Sequence, residues 1–325
     1  MKKLALLFLV FVLTIVTAAC GTGSSSQPAG QTENNTTANN ATEPGATELT
    51  IKHKLGETPV TKNPEKVVVF DFGVLDTLDK LGVEIAAVPQ GGTIPIYLSK
   101  YEDSKYVNAG GLKEPDFETI AGLNPDLIII SDRQADLYEE FNKIAPTIHM
   151  GVDYTRYMDS YKENSITLGQ IFNKEAEVEA ELVKVDEAIK SLHEKATASG
   201  QNALIVLANA GNLSAYGPGS RFGLVHDVFG LKAVDENIEV STHGQNISFE
   251  YIMEKDPDYL FVVDRDAVVG GDASAKQTIE NELIKNTKAY KNGNIVYLDP
   301  NYWYLSGGGL VSVAGMVKAI EAAIQ

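Results

Sequence analysis

Arginine is scarce in this chain of 325 residues, and three of its four arginines occupy positions where a ligand could reach them. Arg133 and Arg265 each follow an apolar run that predicts a buried strand, and Arg221 lies in the glycine-rich segment 216–223. Because ligands of open α/β sheets bind beyond the carboxyl ends of the strands, we expect these side chains to face a cleft. Planar, permanently charged guanidinium groups suit an anionic ligand that is rich in oxygen. The alternative is that each arginine forms a surface ion pair.

Two further loop residues, His243 and Tyr304, have side chains that can bind ferric iron. His243 lies in the polar segment 241–246, and Tyr304 precedes the glycine run 307–309. Neutral imidazole and phenolate are both competent ligands of Fe(III), and the phenolate oxygen suits this hard ion especially well. A chelator that supplies four donor atoms would leave two positions on the iron for them. A lone histidine is usually structural, so a packing role is the alternative for His243.

The elements that must position these residues include an internal repeat, at 115–130 and 247–263. In both copies a Phe-Glu pair opens a helical segment, a Pro-Asp pair follows, and a buried-type strand comes next. The glutamates of the two pairs are Glu118 and Glu250, and one of the arginines described above follows each of them by 15 positions. Four shared features in register predict two similar α/β lobes.

The segment 173–197 predicts one long helix between the two copies. It contains no Pro or Gly, is rich in helix-forming residues, and has an apolar stripe at a spacing near 3.6 residues. Such a helix would be over about 30 Å long, which is enough to cross from one lobe to the other. We therefore expect an α/β fold with an N-terminal Rossmann-like lobe at 48–172, this connecting helix, and a C-terminal Rossmann-like lobe at 198–325.

The N-terminal segment predicts export and a lipid anchor. Two lysines precede an apolar run at 4–16 that is interrupted only by Thr14. This run is too short to span a bilayer comfortably and is typical of a signal peptide. Small residues then precede Cys20, the one cysteine of the chain, as in a bacterial lipobox. We expect a signal peptide at 1–19, lipidation of Cys20, and a flexible polar tether over 20–47. A cleaved signal with an incidental cysteine is the alternative.

Composition and missing motifs argue against several classes of function. The net charge of −17 argues against a nucleic-acid partner, which calls for clustered Lys and Arg. The sequence has no Gly-x-Ser-x-Gly elbow, no Gly-Lys-Ser/Thr phosphate loop and no His-Glu-x-x-His zinc helix, which argues against an enzyme. The five histidines are scattered and the arginines would repel a bare dication, which argues against capture of zinc or manganese.

Two α/β lobes joined by one rigid helix resemble the cluster A-II (class III) substrate-binding proteins of bacterial importers, from about residue 48 to the end of the chain. The order and spacing of the candidate residues further resemble those of proteins that bind ferric petrobactin and related bis-catecholates. The resemblance implies an arginine triad around the chelated iron, two additional iron ligands, a further cationic contact, and an aromatic ring stacked on a catecholate. These residues are, in that order, Arg133, Arg221 and Arg265; His243 and Tyr304; Lys113; and Trp303. Packing in the core is the alternative for Trp303.

The same resemblance implies partners and a location. Glu118 and Glu250 would dock onto the permease of an ABC importer, although a carboxylate at the start of a helix can simply cap its N-terminus. The protein would need no intrinsic cofactor, would carry an Fe(III)–siderophore as its ligand, and would act as a monomer. Its lipid on Cys20 would hold it at the extracellular face of a Gram-positive type cell membrane. Haem or cobalamin is the alternative ligand on this scaffold, although three arginines suit a strongly anionic ligand better.

Overall fold

The computed structural model describes residues 48–271 and 274–324. The expected signal peptide, the lipidation at Cys20 and the tether lie outside the described residues. Within the described ranges, no helix is both long and apolar enough to cross a membrane.

The N-terminal lobe contains an antiparallel hairpin and a parallel sheet. The hairpin strands are β1 (Glu48–His53) and β2 (Gly56–Thr61). The sheet strands are β3 (Val67–Val69), β4 (Ala87–Val88), β5 (Val107–Asn108), β6 (Leu127–Ile130) and β7 (Thr147–His149). They pair in the order β5-β4-β3-β6-β7, and every pair is parallel. The central strands β3 and β6 consist entirely of buried apolar residues, as expected where helices cover both faces of a parallel sheet.

Helices connect the strands of this lobe. The α-helices are α1 (Phe72–Lys80), α2 (Phe117–Leu123), α3 (Tyr138–Asn142) and α4 (Tyr157–Phe172). Three 3-10 helices lie at Ile96–Glu102, Asp132–Leu137 and Tyr154–Arg156. The second of these follows the carboxyl end of β6 directly and carries Arg133.

The C-terminal lobe has a mixed sheet. Its strands are β8 (Asn202–Asn209), β9 (Asn212–Tyr216), β10 (Lys232–Ala233), β11 (Gln245–Ile247), β12 (Tyr259–Asp264) and β13 (Ile295–Leu298). The order is β11-β9-β8-β12-β13, with β10 also paired to β8. The sequence predicted parallel units throughout, but β9 runs antiparallel to both β8 and β11. Ala210 and Gly211 both take positive φ, which closes β8 and β9 into a tight hairpin.

Short helices complete this lobe, and one longer helix ends it. The α-helices are α6 (Leu224–Asp227), α7 (Phe249–Lys255), α8 (Asp266–Val269), α9 (Ala275–Ile279), α10 (Lys288–Lys291) and α11 (Leu310–Ala323). A 3-10 helix lies at Ile284–Asn286, and a π-helix at Asn301–Ser306 carries Tyr304.

The connecting helix α5 (Glu175–Ser199) has 25 residues and begins and ends two positions later than predicted. Its start is displaced because Asn173 takes a left-handed conformation that ends α4. Its end is set by Gly200, whose φ of 66° suits a glycine at a helix C-terminus. Two α/β lobes joined by this helix confirm the predicted fold class.

The predicted repeat has the same local structure in both lobes. The helices α2 and α7 are each seven residues long, and each ends at a left-handed residue, Asn124 or Asp256. Asp116 caps the first helix by accepting from the backbone of Thr119, and Ser248 caps the second. Because each helix then leads into a central strand, β6 or β12, the residues that follow the two strands occupy equivalent edges of the two sheets.

The C-terminal segment contacts both lobes. Its helix α11 packs against α5 and against α1 of the N-terminal lobe. The carboxylate of Asp76 on α1, which is fully buried, accepts from the backbone N–H groups of Val311 and Ser312 at 3.0 and 2.9 Å. The neighbouring Thr77 hydroxyl accepts from Leu310 N–H at 3.1 Å. These bonds satisfy N–H groups that have no partner within α11.

The titration of Asp76 provides a test of this contact. Burial raises the pKa of Asp76 to about 6, despite the hydrogen bonds that lower it. The folded protein therefore holds a proton that the unfolded chain releases, so this contribution to stability is present below about pH 4 and is lost as the pH rises through 6. We expect the stability of the protein relative to Asp76→Asn to fall by roughly 3 kcal/mol between pH 4 and pH 7. Urea unfolding across this range measures it, and a difference independent of pH would contradict it.

Candidate functional site

Arg265 and Tyr304 are in direct contact in the C-terminal lobe. Arg265 follows the carboxyl end of β12 and donates through Nε to the Tyr304 hydroxyl at 2.8 Å. Its Nη1 donates to the Asn209 side chain at 2.6 Å. Since Asn209 ends β8, the neighbour of β12 in the sheet, two strand ends together fix the guanidinium group. The Tyr304 oxygen retains its own hydrogen and a further lone pair for a ligand.

Arg221 lies on the face of the same tyrosine. Its guanidinium carbon is 4.6 Å from the centre of the Tyr304 ring, and its Nη2 donates to the Tyr304 backbone carbonyl at 2.6 Å. The next residue, Phe222, is buried against Tyr216 at 4.6 Å between ring centres, which anchors the loop. Gly219 has a φ of 69°, so the turn that aims Arg221 requires a residue tolerant of the left-handed region.

The Arg221 loop lies at the boundary between the lobes. Arg221 lines a small cavity together with Tyr154 and Tyr157 of the N-terminal lobe. Beside it, the same two tyrosines line a groove of about 330 Å³ with Gly219 and Leu224 of the C-terminal lobe. The guanidinium group on Tyr304 therefore faces the space between the two lobes.

The charges of the three candidate arginines are not neutralised by ion pairs. Among the described residues, no Asp or Glu forms an ion pair with Arg133, Arg221 or Arg265. In contrast, Arg156, the arginine outside the predicted set, binds Glu163 through both nitrogens at 3.2 and 2.6 Å. This contrast argues against the surface ion-pair alternative for the three. Two half-buried like charges on one tyrosine ring favour a site for an anion.

Arg133 lies on the matching edge of the N-terminal lobe. It is exposed, and its charge lowers the pKa of Asp71, although burial raises that pKa overall. The preceding residue, Asp132, accepts from Lys54 at 2.8 Å and lies 3.1 Å from the buried His149 ring. The bond to His149, and then that to Lys54, holds the pKa of Asp132 down to about 2. These contacts fix the start of the 3-10 helix that carries Arg133.

Lys113 and His243 are exposed, and no hydrogen bond or ion pair links either side chain to the other described residues. The backbone beside Lys113 is tied to the Arg133 helix, because Gln134 donates to the Leu112 carbonyl at 2.6 Å. His243 is followed by Gly244, which lies so close to the Tyr216 ring that a side chain there would collide with it. Each residue thus lies on a loop adjoining one that carries an arginine.

The predicted stacking of Trp303 on a ligand is wrong in this structure. Trp303 is 2% exposed and packs in the core, edge-on to Phe222 at 6.3 Å between ring centres. Trp303 is next to Tyr304 in the sequence, but adjacent residues of a helical segment point in different directions. Trp303 belongs to the π-helix, and its contact with Phe222 packs this helix against the Arg221 loop.

Glu118 and Glu250 are exposed in the first turns of α2 and α7. The N-cap residues of the two helices are Asp116 and Ser248, and the capping alternative stays open for Glu250, which bonds to the backbone of its own turn. Hydrogen bonding to Ser248 and to its own backbone lowers the pKa of Glu250. Both side chains are exposed to a partner, although the Glu250 carboxylate also bonds within the first turn of α7.

Sequence reasoning missed three residues that hold the arginines in place: Asn209, Asp132 and His149. A usable signal existed for Asn209, because it ends a predicted buried strand next to the strand that precedes Arg265. For His149 no such signal existed, because a histidine in an apolar run does not reveal which loop its ring reaches. No group of three or more His, Cys, Asp or Glu side chains able to hold a metal ion occurs in the part of the chain that the structure describes.

Comparison with known proteins places the chain among binding proteins. The profile of the periplasmic binding protein family matches residues 67–302. Petrobactin-binding protein YclQ of Bacillus subtilis is 49% identical over 100% of both chains. Its crystal structure has a TM-score of 0.84 at 51% identity, covering 86% of this chain and 99% of that one.

Two more distant relatives are also ligand-binding proteins. The ferric-anguibactin-binding protein FatB of Vibrio anguillarum is 33% identical over 87% of this chain and 89% of its own. The crystal structure of the periplasmic catecholate-siderophore binding protein VctP from Vibrio cholerae has a TM-score of 0.81 at 42% identity, covering 85% and 100% of the two chains. These matches confirm the prediction of a substrate-binding protein rather than an enzyme. The chain belongs to the periplasmic binding protein family.

Proposed function

We propose that this protein captures a ferric catecholate siderophore of the petrobactin type between its lobes and delivers it to the permease of an ABC importer. The observation that carries the proposal is the set of three arginines without ion-pair partners in the described residues, two of them on Tyr304. Deprotonated catecholates on Fe(III) form a strongly anionic oxygen surface, which guanidinium groups bind through charge-assisted hydrogen bonds. The ligands named for YclQ and VctP belong to the same chemical class and support it.

Tyr304 and His243 complete the iron coordination of a four-donor chelator in this proposal. The Tyr304 oxygen accepts from Arg265 at 2.8 Å, and a phenolate oxygen in that position still has lone pairs for Fe(III). Lys113 and Arg133 contribute charge from the N-terminal lobe.

Delivery uses other parts of the molecule. Glu118 and Glu250, one on each lobe, dock onto basic residues of the permease. The lipid on Cys20 holds the protein at the extracellular face of the membrane, and it acts there as a monomer. The protein uses no cofactor of its own, since the iron arrives and leaves with its chelator.

A fluorescence titration tests the proposed ligand. Trp303 is the one tryptophan of the chain, and its ring packs against Phe222, beside Arg221. We expect a ferric bis-catecholate to quench its emission saturably at nanomolar to low micromolar concentration. A ferric hydroxamate, haem and cobalamin serve as controls, each against a blank without protein. Quenching by haem or cobalamin but not by the bis-catecholate would replace the ligand proposed here.

A further inference from the structure

We infer that Tyr97, in the N-terminal lobe, is a positioning residue for ferric siderophore binding, because it fixes from across the lobe boundary the π-helix that carries Tyr304. The inference rests on the proposed function, since it concerns the same site. It adds a residue that touches neither Arg221 nor Arg265 and that lies in the 3-10 helix Ile96–Glu102, outside the predicted set.

The Tyr97 hydroxyl connects the two lobes through one pair of hydrogen bonds. Its oxygen lies 3.0 Å from Asp76 Oδ2 and 2.7 Å from Ser306 Oγ. The phenol has one hydrogen, which is placed to donate to either of these two oxygens, so the hydroxyl lies between Asp76 in one lobe and Ser306 in the other. Burial and the Asp76 charge raise the pKa of Tyr97, which keeps it in the protonated form that this arrangement requires.

The π-helix Asn301–Ser306 is held by the same 3-10 helix at both of its ends. At its start, the Ile96 backbone N–H donates to the Asn301 side chain at 3.1 Å. At its end, Ser306 binds Tyr97, and between them the Tyr97 ring packs on Tyr302 at 4.8 Å between ring centres. A π-helix is a rare and intrinsically less favourable conformation, so external bonds at its termini have unusual weight in fixing its shape.

The residue that this segment positions is Tyr304, two positions before Ser306. Its backbone carbonyl accepts from Arg221 at 2.6 Å and its hydroxyl accepts from Arg265 at 2.8 Å. A shift of the π-helix would therefore displace both guanidinium groups and the phenol oxygen together. Tyr97 therefore fixes the position of Tyr304 relative to Arg221 and Arg265, although Tyr97 lies in the other lobe.

The chain supplies a matched control in Tyr101, on the same 3-10 helix. Its hydroxyl likewise donates to an aspartate of α1, Asp79, at 2.9 Å, and its ring is more deeply buried than that of Tyr97. Among the described residues its hydroxyl bonds to Asp79 alone and reaches no part of the π-helix. Tyr101→Phe therefore shows what the loss of a comparable hydrogen bond does to affinity through destabilisation alone.

The experiment measures the affinity and dissociation rate of a ferric bis-catecholate with the full chain, purified in detergent. We expect Tyr97→Phe to weaken binding about 5- to 10-fold, as for loss of one buried hydrogen bond, mainly through faster dissociation. Tyr101→Phe should stay within twofold of the unchanged protein. Ser306→Ala should weaken binding more than Tyr101→Phe and at most as much as Tyr97→Phe, which also loses its bond to Asp76. The double variant should be no worse than Tyr97→Phe, because the bond between Tyr97 and Ser306 is already absent there.

Each outcome decides a separate question. Equal affinities for Tyr97→Phe and Tyr101→Phe, or fully additive effects of Tyr97→Phe and Ser306→Ala, would overturn the positioning role while the unchanged protein still binds. Absence of binding by the unchanged protein would instead overturn the proposed function. Thermal unfolding of every variant, measured in parallel, separates lost affinity from lost folding.

Discussion

Arg221→Ala is expected to weaken binding of a ferric bis-catecholate by about 100-fold or more. Truncating a charged partner at a desolvated contact costs roughly 2–5 kcal/mol, and each 1.4 kcal/mol is a factor of ten. Arg221 meets this condition because it is half-buried, is stacked 4.6 Å above the Tyr304 ring, and has no ion-pair partner in the described residues. Isothermal titration calorimetry measures the loss directly.

The matched control is Arg156→Ala, which removes the same charge from a residue at the same lobe boundary. Because that guanidinium group is already paired with Glu163, its loss should change affinity less than threefold. Arg221→Lys adds a second comparison, since it keeps the charge but loses the planar stack and should recover binding only in part. Equal losses of affinity in Arg156→Ala and Arg221→Ala would show that Arg221 acts only through nonspecific attraction between charges.

Combining Glu118→Ala with Glu250→Ala is expected to abolish iron–siderophore uptake while leaving ligand affinity unchanged. Both carboxylates are exposed, and each belongs to the second residue of the repeated helix in its lobe. Each lobe therefore presents one equivalent carboxylate to the permease. Charge pairs of this kind determine orientation and association rate, so the loss of both prevents productive docking. Uptake of radiolabelled iron by cells that carry the variant measures transport, and the fluorescence titration measures affinity.

A suitable control changes the same charge elsewhere on each lobe. Glu140 on α3 and Glu254 at the end of α7 are exposed, and neither forms an ion pair within the described ranges. Glu140→Ala with Glu254→Ala should leave uptake near its original rate. Normal transport by the Glu118 and Glu250 double variant would exclude their role in docking.

The sequence predicted those parts of the site that are encoded by local pattern. Arg133 and Arg265 were placed correctly at strand ends because the Phe-Glu helix, the Pro-Asp turn and the apolar strand fix that register within twenty residues. Tyr304 and Arg221 required more than pattern, since their contact joins loops that are 83 positions apart. The resemblance to a family predicted that both residues face one ligand, but it did not predict their direct contact, which the structure shows.

The parts that could not be predicted depend on which way a side chain points after distant elements pack. Trp303 and Tyr304 are neighbours, yet one is core and the other faces the arginines, and nothing in the aromatic run distinguishes them. The burial of Asp76 could not be predicted either, because a charged residue within an apolar helical stripe suggests a solvent-facing position. Its carboxylate is buried only because α11 presents three unpaired N–H groups to α1.

The cap that Asp76 makes for α11 also constrains the order in which the polypeptide can mature. Asp76 and Val311 are separated by 235 positions. The N-terminal lobe, which leaves the ribosome first, therefore lacks its contact with α11 until that last helix has been synthesised. Contacts of such long sequence separation form late, so both lobes should gain their final stability in one step, once the whole chain is available.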